Sequence, residues 1–282
     1  MNYQQFRPQG FSFLPPVVKN LLIINGILYL ASLALQSRGI DLSDMLGLHY
    51  FGAQKFSPFQ FVTYMFMHGS PGHIIFNMFA LWMFGYTLEN IWGSKRFLLY
   101  YMITGIGAAI VHYLIMIPEI MPVVKAINVY IANPSYESLQ AFVSDHTFKV
   151  NRYSGDIYIQ FEQFKTDFAA LSVNPQNKKA LIGAANFLTV YREYYLNLPN
   201  VIGASGAVFG ILLAFGMMFP NVRLYIYMLI PIKAKWFVII YGLVELYLGF
   251  SQSHSNVAHF AHLGGMLFGF FLIKYWKRKG VF

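Results

Sequence analysis

The sequence predicts an all-α polytopic membrane protein, and three observations carry that prediction. Of its 282 residues, 57% are hydrophobic and only 11% are charged, against about 25% charged in soluble chains. Six apolar runs approach the roughly 20 residues with which a helix crosses a bilayer. The basic residues, finally, gather on one side of those runs, as they do on the cytoplasmic side of membrane proteins.

In chain order, residues 1–16 are polar and proline-bearing. They lack the apolar core of a secretory signal, so they read as a cytoplasmic tail and the first span as its own insertion signal. Residues 17–117 hold three transmembrane helices, at 17–35, 71–88 and 97–117, the first two separated by a connection with Arg38, Asp41, Asp44 and Lys55. Residues 118–200 change character, with seven Lys/Arg against seven Asp/Glu and helical-looking pieces such as 175–196. They read as a small extracytoplasmic helical insertion. Its Tyr and Phe residues are expected to pack among themselves or on the membrane surface, with substrate docking as the other reading. Residues 201–276 hold three more helices, at 201–219, 236–250 (a short run of 15) and 258–276, and 277–282 form a basic cytoplasmic tail.

Six spans put both termini on one side. With the ends inside, that side holds Arg7, Lys19, Lys95, Arg96, Arg223, Lys233, Lys235, Lys274, Lys277, Arg278 and Lys279, while the short outer connections hold only Arg38 and Lys55. The neutral insertion leaves the whole net charge of +9 in the membrane portion. Lipid headgroups are the implied partner, and nucleic acid is not. The chain has no cysteine, which excludes disulfides, thiolate metal sites and cysteine nucleophiles. The expected location is a bacterial cell (inner) membrane, and the oligomeric state is left open.

Polar groups inside spans are expensive and call for a reason. The second run opens with His73 and Asn77, the fourth with Gly203-Ala204-Ser205-Gly206, and the sixth with His259 and His262. Each lies within six residues of the outer end of its run, hence within roughly 10 Å of depth, and the i, i+4 spacing puts His73 and Asn77 on one face. A serine needs a neighbouring base, for which a neutral imidazole serves. His262 fills that role if the sixth helix packs on the fourth, and Gly206, Gly210, Gly265 and Gly269 allow that approach. His73, Asn77 and the first backbone N–H groups of the fourth helix are donors suited to an oxyanion.

Other readings compete. Small residues at four-residue spacing are ordinary packing devices. A histidine cluster (His254, His259 and His262, with His68 and His73) offers metal ligands, but no H-E-x-x-H and no nearby acid accompany it, so no metal is expected. A transport path is disfavoured because the polar groups sit at helix ends rather than at the midplane. Glu245, late in the fifth run, has a functional role as one reading and a solvated helix end as the favoured one, and His259 reads as a structural donor. With no carboxylate in these motifs, the expectation is a Ser–His dyad without a third member, and no cofactor.

The motifs resemble the rhomboid family of intramembrane serine proteases. They are His68 followed by His73-Ile74-Ile75-Phe76-Asn77, then Gly203-Ala204-Ser205-Gly206, then Ala261-His262-Leu263-Gly264-Gly265 with Gly269. Gly85, Glu89, Gly93 and Ser94 look like the family's inner turn after its second span. The resemblance covers about residues 58–116 and 200–276. It implies a six-helix rhomboid-like bundle with Ser205 as nucleophile, His262 as base, and His73 and Asn77 as oxyanion partners. It further implies that Phe209 stacks on the catalytic histidine, that the fifth span is a mobile gate, and that substrates are transmembrane proteins cleaved near the outer leaflet. Two departures stand out. The Trp-Arg pair of many members reads Phe59-Gln60, removing that polar anchor of the first outer loop, and compact members lack the insertion. A non-catalytic membrane protein that binds client spans is the alternative function.

Overall fold

The computed structural model describes residues 12–226, 229–251 and 258–280. Most of the predicted N-terminal tail and the last two residues of the basic tail therefore lie outside the described residues, as does His254. The chain divides into two compact units. One comprises Met1–Leu48, Pro58–Tyr113 and Val201–Phe282, the other His49–Ser57 and Leu114–Asn200.

The first unit opens with α1 (Pro16–Gln36), whose first turn has proline in place of a free N–H. Its orphan amides find a partner in the buried carboxylate of Glu89. Val17 N–H donates to Oε1 at 2.9 Å, Val18 N–H to Oε2 at 2.8 Å, and Ser94 Oγ donates to Oε1 at 2.6 Å. One carboxylate thus caps α1 and ties it to the turn between α4 (Pro71–Trp92) and α5 (Ser94–Ala132). Gly85 lies in this junction, facing Phe97 and Val18. The inner-turn residues singled out in the sequence hold that corner together.

Between α1 and α4 run α2 (Leu42–Leu46), capped by Asp41, then α3 (Gln60–Thr63) and a 3-10 turn at Tyr64–Phe66. Gln60 is buried and its Nε2 donates to the Met45 carbonyl at 3.2 Å, while Thr63 Oγ1 donates to the Leu46 carbonyl at 2.7 Å. The expected loss of polar anchoring in this loop is therefore corrected: Gln60 and Thr63 supply it.

Toward the C-terminus come α9 (Ser205–Met218), the hairpin of β3 (Arg223–Ile226) and β4 (Ile230–Lys233), α10 (Ala234–Ser251) and α11 (His259–Arg278). The short strands β1 (Leu48–His49) and β2 (Asn200–Val201) precede these in the chain. The expected fourth run of 201–219 is a helix only from Ser205, because Gly203 takes a positive φ of 131° and keeps the preceding residues extended. The short fifth run gains residues at both ends and reaches 18.

Three described helices are long and apolar enough to cross a membrane, namely α1, α5 and α10, and α9 is apolar but only 14 residues long. α4 and α11 have the length, at 22 and 20 residues, but their histidines, asparagines and terminal charges dilute their apolar character. α1 exposes Ile23, Ile24, Ile27, Leu30 and Leu33, and α10 exposes Ile239, Ile240, Leu243, Val244 and Leu246, as lipid-facing helices do.

The second unit departs from expectation at its start. The third run was to end at 117, yet α5 continues unbroken through Pro118 and Pro122 to Ala132. Each interior proline costs about 3 kcal/mol of helix propensity, but the apolar spacing outlasts them, with Ile120, Ile127 and Tyr130 all buried. α6 (Tyr136–Asp145), α7 (Asp156–Val173) and α8 (Lys178–Asn197) follow, each begun by a turn residue: Ser135 and Asn177 as side-chain caps and Gly155 at φ 71°. Inside this unit Phe148 is ringed by Phe142, His146, Phe161, Phe164, Phe187 and Tyr191, with centroids 4.9 to 5.8 Å away. These aromatic residues pack among themselves, the first of the expected alternatives. Tyr191 Oη also lies 2.7 Å from His146 Nε2 and accepts the Lys149 N–H at 3.2 Å, which pins the irregular segment after α6.

Candidate active site

Ser205 is the first residue of α9, so its hydroxyl stands where the helix's first N–H groups have no partner of their own. Two glycine pairs fix what faces it. A Cβ on Gly265 of α11 would run into the Gly206 carbonyl of α9, and one on Gly269 would meet the Tyr100 hydroxyl and, at 3.4 Å, Gly210 Cα. From the other side, a Cβ on Gly210 would stand 2.7 Å from Thr104 Cβ, and one on Gly206 would strike Ala108, both of α5. Tyr100 Oη donates to the Gly210 carbonyl at 2.8 Å. The backbones of α9 and α11 therefore touch, in the approach that the four-residue glycine spacing predicts.

That contact brings the predicted nucleophile and base together. His262 Nε2 lies 2.8 Å from Ser205 Oγ. Phe209, one turn beyond Ser205, stacks on the His262 imidazole at 4.2 Å between centroids and 5° between planes. The ring is thus held flat against α9 with one nitrogen aimed at the serine.

His73 reaches the same point from α4. A Cβ on Gly203 would lie 2.8 Å from His73 Nε2 and 3.5 Å from Ser205 Oγ, so the imidazole edge and the serine meet across a residue that has no side chain. The positive φ of Gly203 and this close approach both require glycine. Gly203 N–H donates to the Tyr64 carbonyl at 2.9 Å, and Tyr64 Oη donates to the Gly105 carbonyl at 2.7 Å, which anchors the strand leading into Ser205. His73 Nδ1 faces the Gly69 N–H at 3.4 Å. That leaves its proton on Nε2, the side that faces Ser205. Asn77 is buried and spends one amide N–H on the His73 carbonyl at 2.9 Å; the second has no acceptor among the described residues.

The acid was missed. The sequence favours Glu245 as a solvated helix end and puts no carboxylate near the histidines, yet Glu245 is 5% exposed and well inside α10. Its Oε2 lies 2.8 Å from His262 Nδ1 and 2.7 Å from His259 Nδ1. The expectation of two partners without an acid is corrected to a chain of three, Ser205–His262–Glu245. A signal was present: Glu245 is the sole Asp or Glu in the six apolar runs, and an ionisable residue inside a span is a functional candidate from the outset.

Glu245, His259 and His262 are also the group among the described residues whose ligand atoms lie close enough, within 4.8 Å, to hold a metal ion. The two uses of His262 exclude each other. An ion on Nδ1 would leave the proton on Nε2, where the imidazole must accept one from serine. His68, offered as a further ligand, packs edge-on to His73 at 4.9 Å.

Comparison with known proteins gives the family. A family model described as the Rhomboid domain matches residues 55–124 and 178–279, leaving the middle of the insertion unmatched. Rhomboid-like protein 11, chloroplastic, of Arabidopsis thaliana is 35% identical over 96 residues, 34% of this chain and 32% of that protein. Rhomboid-like protein 15 of the same plant is 31% identical over 108 residues, 38% of this chain and 26% of that protein. The matched stretches span about a third or less of the length of these relatives.

Proposed function

Because the chain belongs to the rhomboid family and is an integral, multi-pass membrane protein, we propose that it is an intramembrane serine endopeptidase. Its substrates are transmembrane proteins, cut near the outer leaflet. The observation that carries this reading is the 2.8 Å contact between Ser205 Oγ and His262 Nε2, with the imidazole stacked on Phe209.

In this proposal Ser205 Oγ attacks the scissile carbonyl carbon while its proton passes to His262 Nε2. The carbonyl oxygen, now negative, takes hydrogen bonds from His73 Nε2–H, the free N–H of Asn77 and the first backbone amides of α9. His262 then gives its proton to the departing amine as the C–N bond breaks, leaving an acyl group on Ser205. A water, deprotonated by His262, attacks that ester and restores the serine. Every proton taken from a nucleophile is returned to a leaving group, so the cycle closes without a cofactor.

The arrangement in the bilayer belongs to the same proposal. α1, α4, α5, α9, α10 and α11 make six spans, both termini are cytoplasmic, and the 118–200 region is outside. The excess of Lys and Arg on the terminal side supports that orientation. We assign the protein to a bacterial inner membrane, although the two relatives named above are plant proteins. The test is proteolysis of a transmembrane reporter by the intact chain in vesicles. Cleavage by wild type and none by Ser205→Ala is expected. Binding of the reporter without cleavage by either protein contradicts a protease and favours a client-binding role.

A further inference from the structure

Two imidazoles share one carboxylate oxygen at the head of α11. Carrying a carboxylate into a membrane helix is costly unless the charge is compensated, and here both compensating donors converge on Oε2 of Glu245, from His262 Nδ1 at 2.8 Å and His259 Nδ1 at 2.7 Å. We propose that Glu245 is a positioning residue for the reaction at Ser205: it fixes the His262 tautomer and balances the charge His262 acquires. The inference rests on the protease reading above and adds a third member to it.

The tautomer argument follows from hydrogen-bond inventory. A neutral imidazole has one donor nitrogen and one acceptor, and an ionised carboxylate only accepts. With Glu245 Oε2 against Nδ1, the proton sits on Nδ1 and the lone pair on Nε2, which is the nitrogen 2.8 Å from Ser205 Oγ. Phe209 fixes the plane of the ring but, being apolar, cannot choose between its nitrogens. When Ser205 loses its proton to Nε2, Nδ1 keeps its own, Glu245 stays ionised, and the imidazolium forms beside an existing negative charge. No proton passes to Glu245 at any step.

His259 supports the assignment. It is buried, and its Nε2 has no hydrogen-bond partner among the described residues while its Nδ1 donates to Glu245. An imidazole that leaves one nitrogen unsatisfied in order to meet Oε2 is a holder of the carboxylate. It aims nothing at Ser205.

Glu245→Gln tests this directly, because the amide keeps the shape, loses the charge and can offer Nδ1 a donor that imposes the wrong tautomer. The reporter assay, run on intact protein shown to be folded by its thermal transition, is expected to show kcat lower by on the order of 100-fold. The corresponding amide substitution in a Ser-His-Asp site, which likewise leaves the ring in place and imposes the wrong tautomer, costs roughly 10⁴-fold, so a loss of about 100-fold is the least the role requires. KM is expected to stay within about threefold, because the substrate is bound as before. A structural role would instead lower the thermal transition and leave kcat of the folded fraction intact. Wild-type kcat in Glu245→Gln, or a loss confined to KM, overturns the proposal. Should that variant fail to fold, the same split is read on Glu245→Asp, whose carboxylate stops one carbon short of His262: a lowered kcat at constant KM supports the role, and an unchanged kcat overturns it. Ser205→Ala keeps the two readings apart. Cleavage by Ser205→Ala sinks the serine mechanism itself, whereas an inert Ser205→Ala beside a fully active Glu245→Gln sinks only the role of Glu245.

Discussion

In the unit that carries Ser205, glycines let α9 and α11 touch through their backbones, whereas in the unit that carries α7 and α8 the contacts are made by rings. Gly265 lies against the Gly206 carbonyl and Gly269 beside Gly210, so the spacing of nucleophile and base is set by main-chain atoms that cannot rotate away. Phe148 instead sits among six rings with centroids 4.9 to 5.8 Å away, an arrangement of side chains that can shift rotamers and still exclude water. The first device suits chemistry that fails when atoms move by an ångström. The second adds its rings to the buried Ile157, Leu171, Ala184 and Leu188 of α7 and α8, and this unit carries none of the Ser, His or Asn positions of the candidate site. The two units should therefore respond differently to equal insults.

The largest effect is expected from Gly265→Leu. Its side chain has no space beside the Gly206 carbonyl, so α9 and α11 must separate and with them Ser205 and His262. A displacement of this kind costs about 100-fold or more in rate, measured as reporter cleavage by the folded, membrane-inserted variant. Near-wild-type activity would show that the glycine contact does not set the spacing of the pair.

Phe164→Ala should divide the units cleanly. Phe164 is buried and stacks on Phe187 at 4.5 Å, so its truncation should destabilise the ring cluster by about 3–5 kcal/mol. Limited proteolysis of the 114–200 region would report that loss, while labelling of Ser205 by a small electrophile should change little. Parallel loss of both would show that the aromatic unit is part of the catalytic scaffold.

The smallest effect is one of pH. Burial, with Lys149 nearby, holds the His146 imidazole below its ordinary value, so the folded unit prefers the neutral ring. The stability this contributes is full above the unfolded value of about 6.5 and is lost as pH falls below it toward the lowered folded value, because the unfolded chain binds the proton first. Protease resistance of the 114–200 region should decline below about pH 6.5, and His146→Gln should flatten that decline. A decline unchanged in His146→Gln would assign it to other groups.

The same contrast explains what could be read from the sequence. Backbone contact needs small residues at fixed spacing, so Gly206, Gly210, Gly265 and Gly269 were legible, and with them the meeting of Ser205 and His262. His73 was legible from its spacing to Asn77 and Phe209 through the resemblance, and the structure puts both beside the pair. Glu245 was not. It sits on α10, with no sequence spacing to relate it to His262, and only its isolation in an apolar run marked it. The course of α5 past Pro118 and Pro122 was hidden too, because proline reads as a boundary and the burial that outweighs it is tertiary. Nor could a list of aromatic residues show that Phe148, in an irregular segment, is the centre of the ring cluster.

The measurement that bears most directly on the account is covalent labelling of the intact, membrane-inserted protein by a fluorophosphonate, since an unassisted serine hydroxyl reacts poorly at neutral pH. The label should map to Ser205, vanish in Ser205→Ala, fall severely in His262→Ala, and persist in His259→Ala, whose imidazole reaches Glu245 rather than the serine. Equal labelling of wild type and His262→Ala, or normal labelling of His262→Ala with none of a folded His259→Ala, would contradict the claim that His262 activates Ser205.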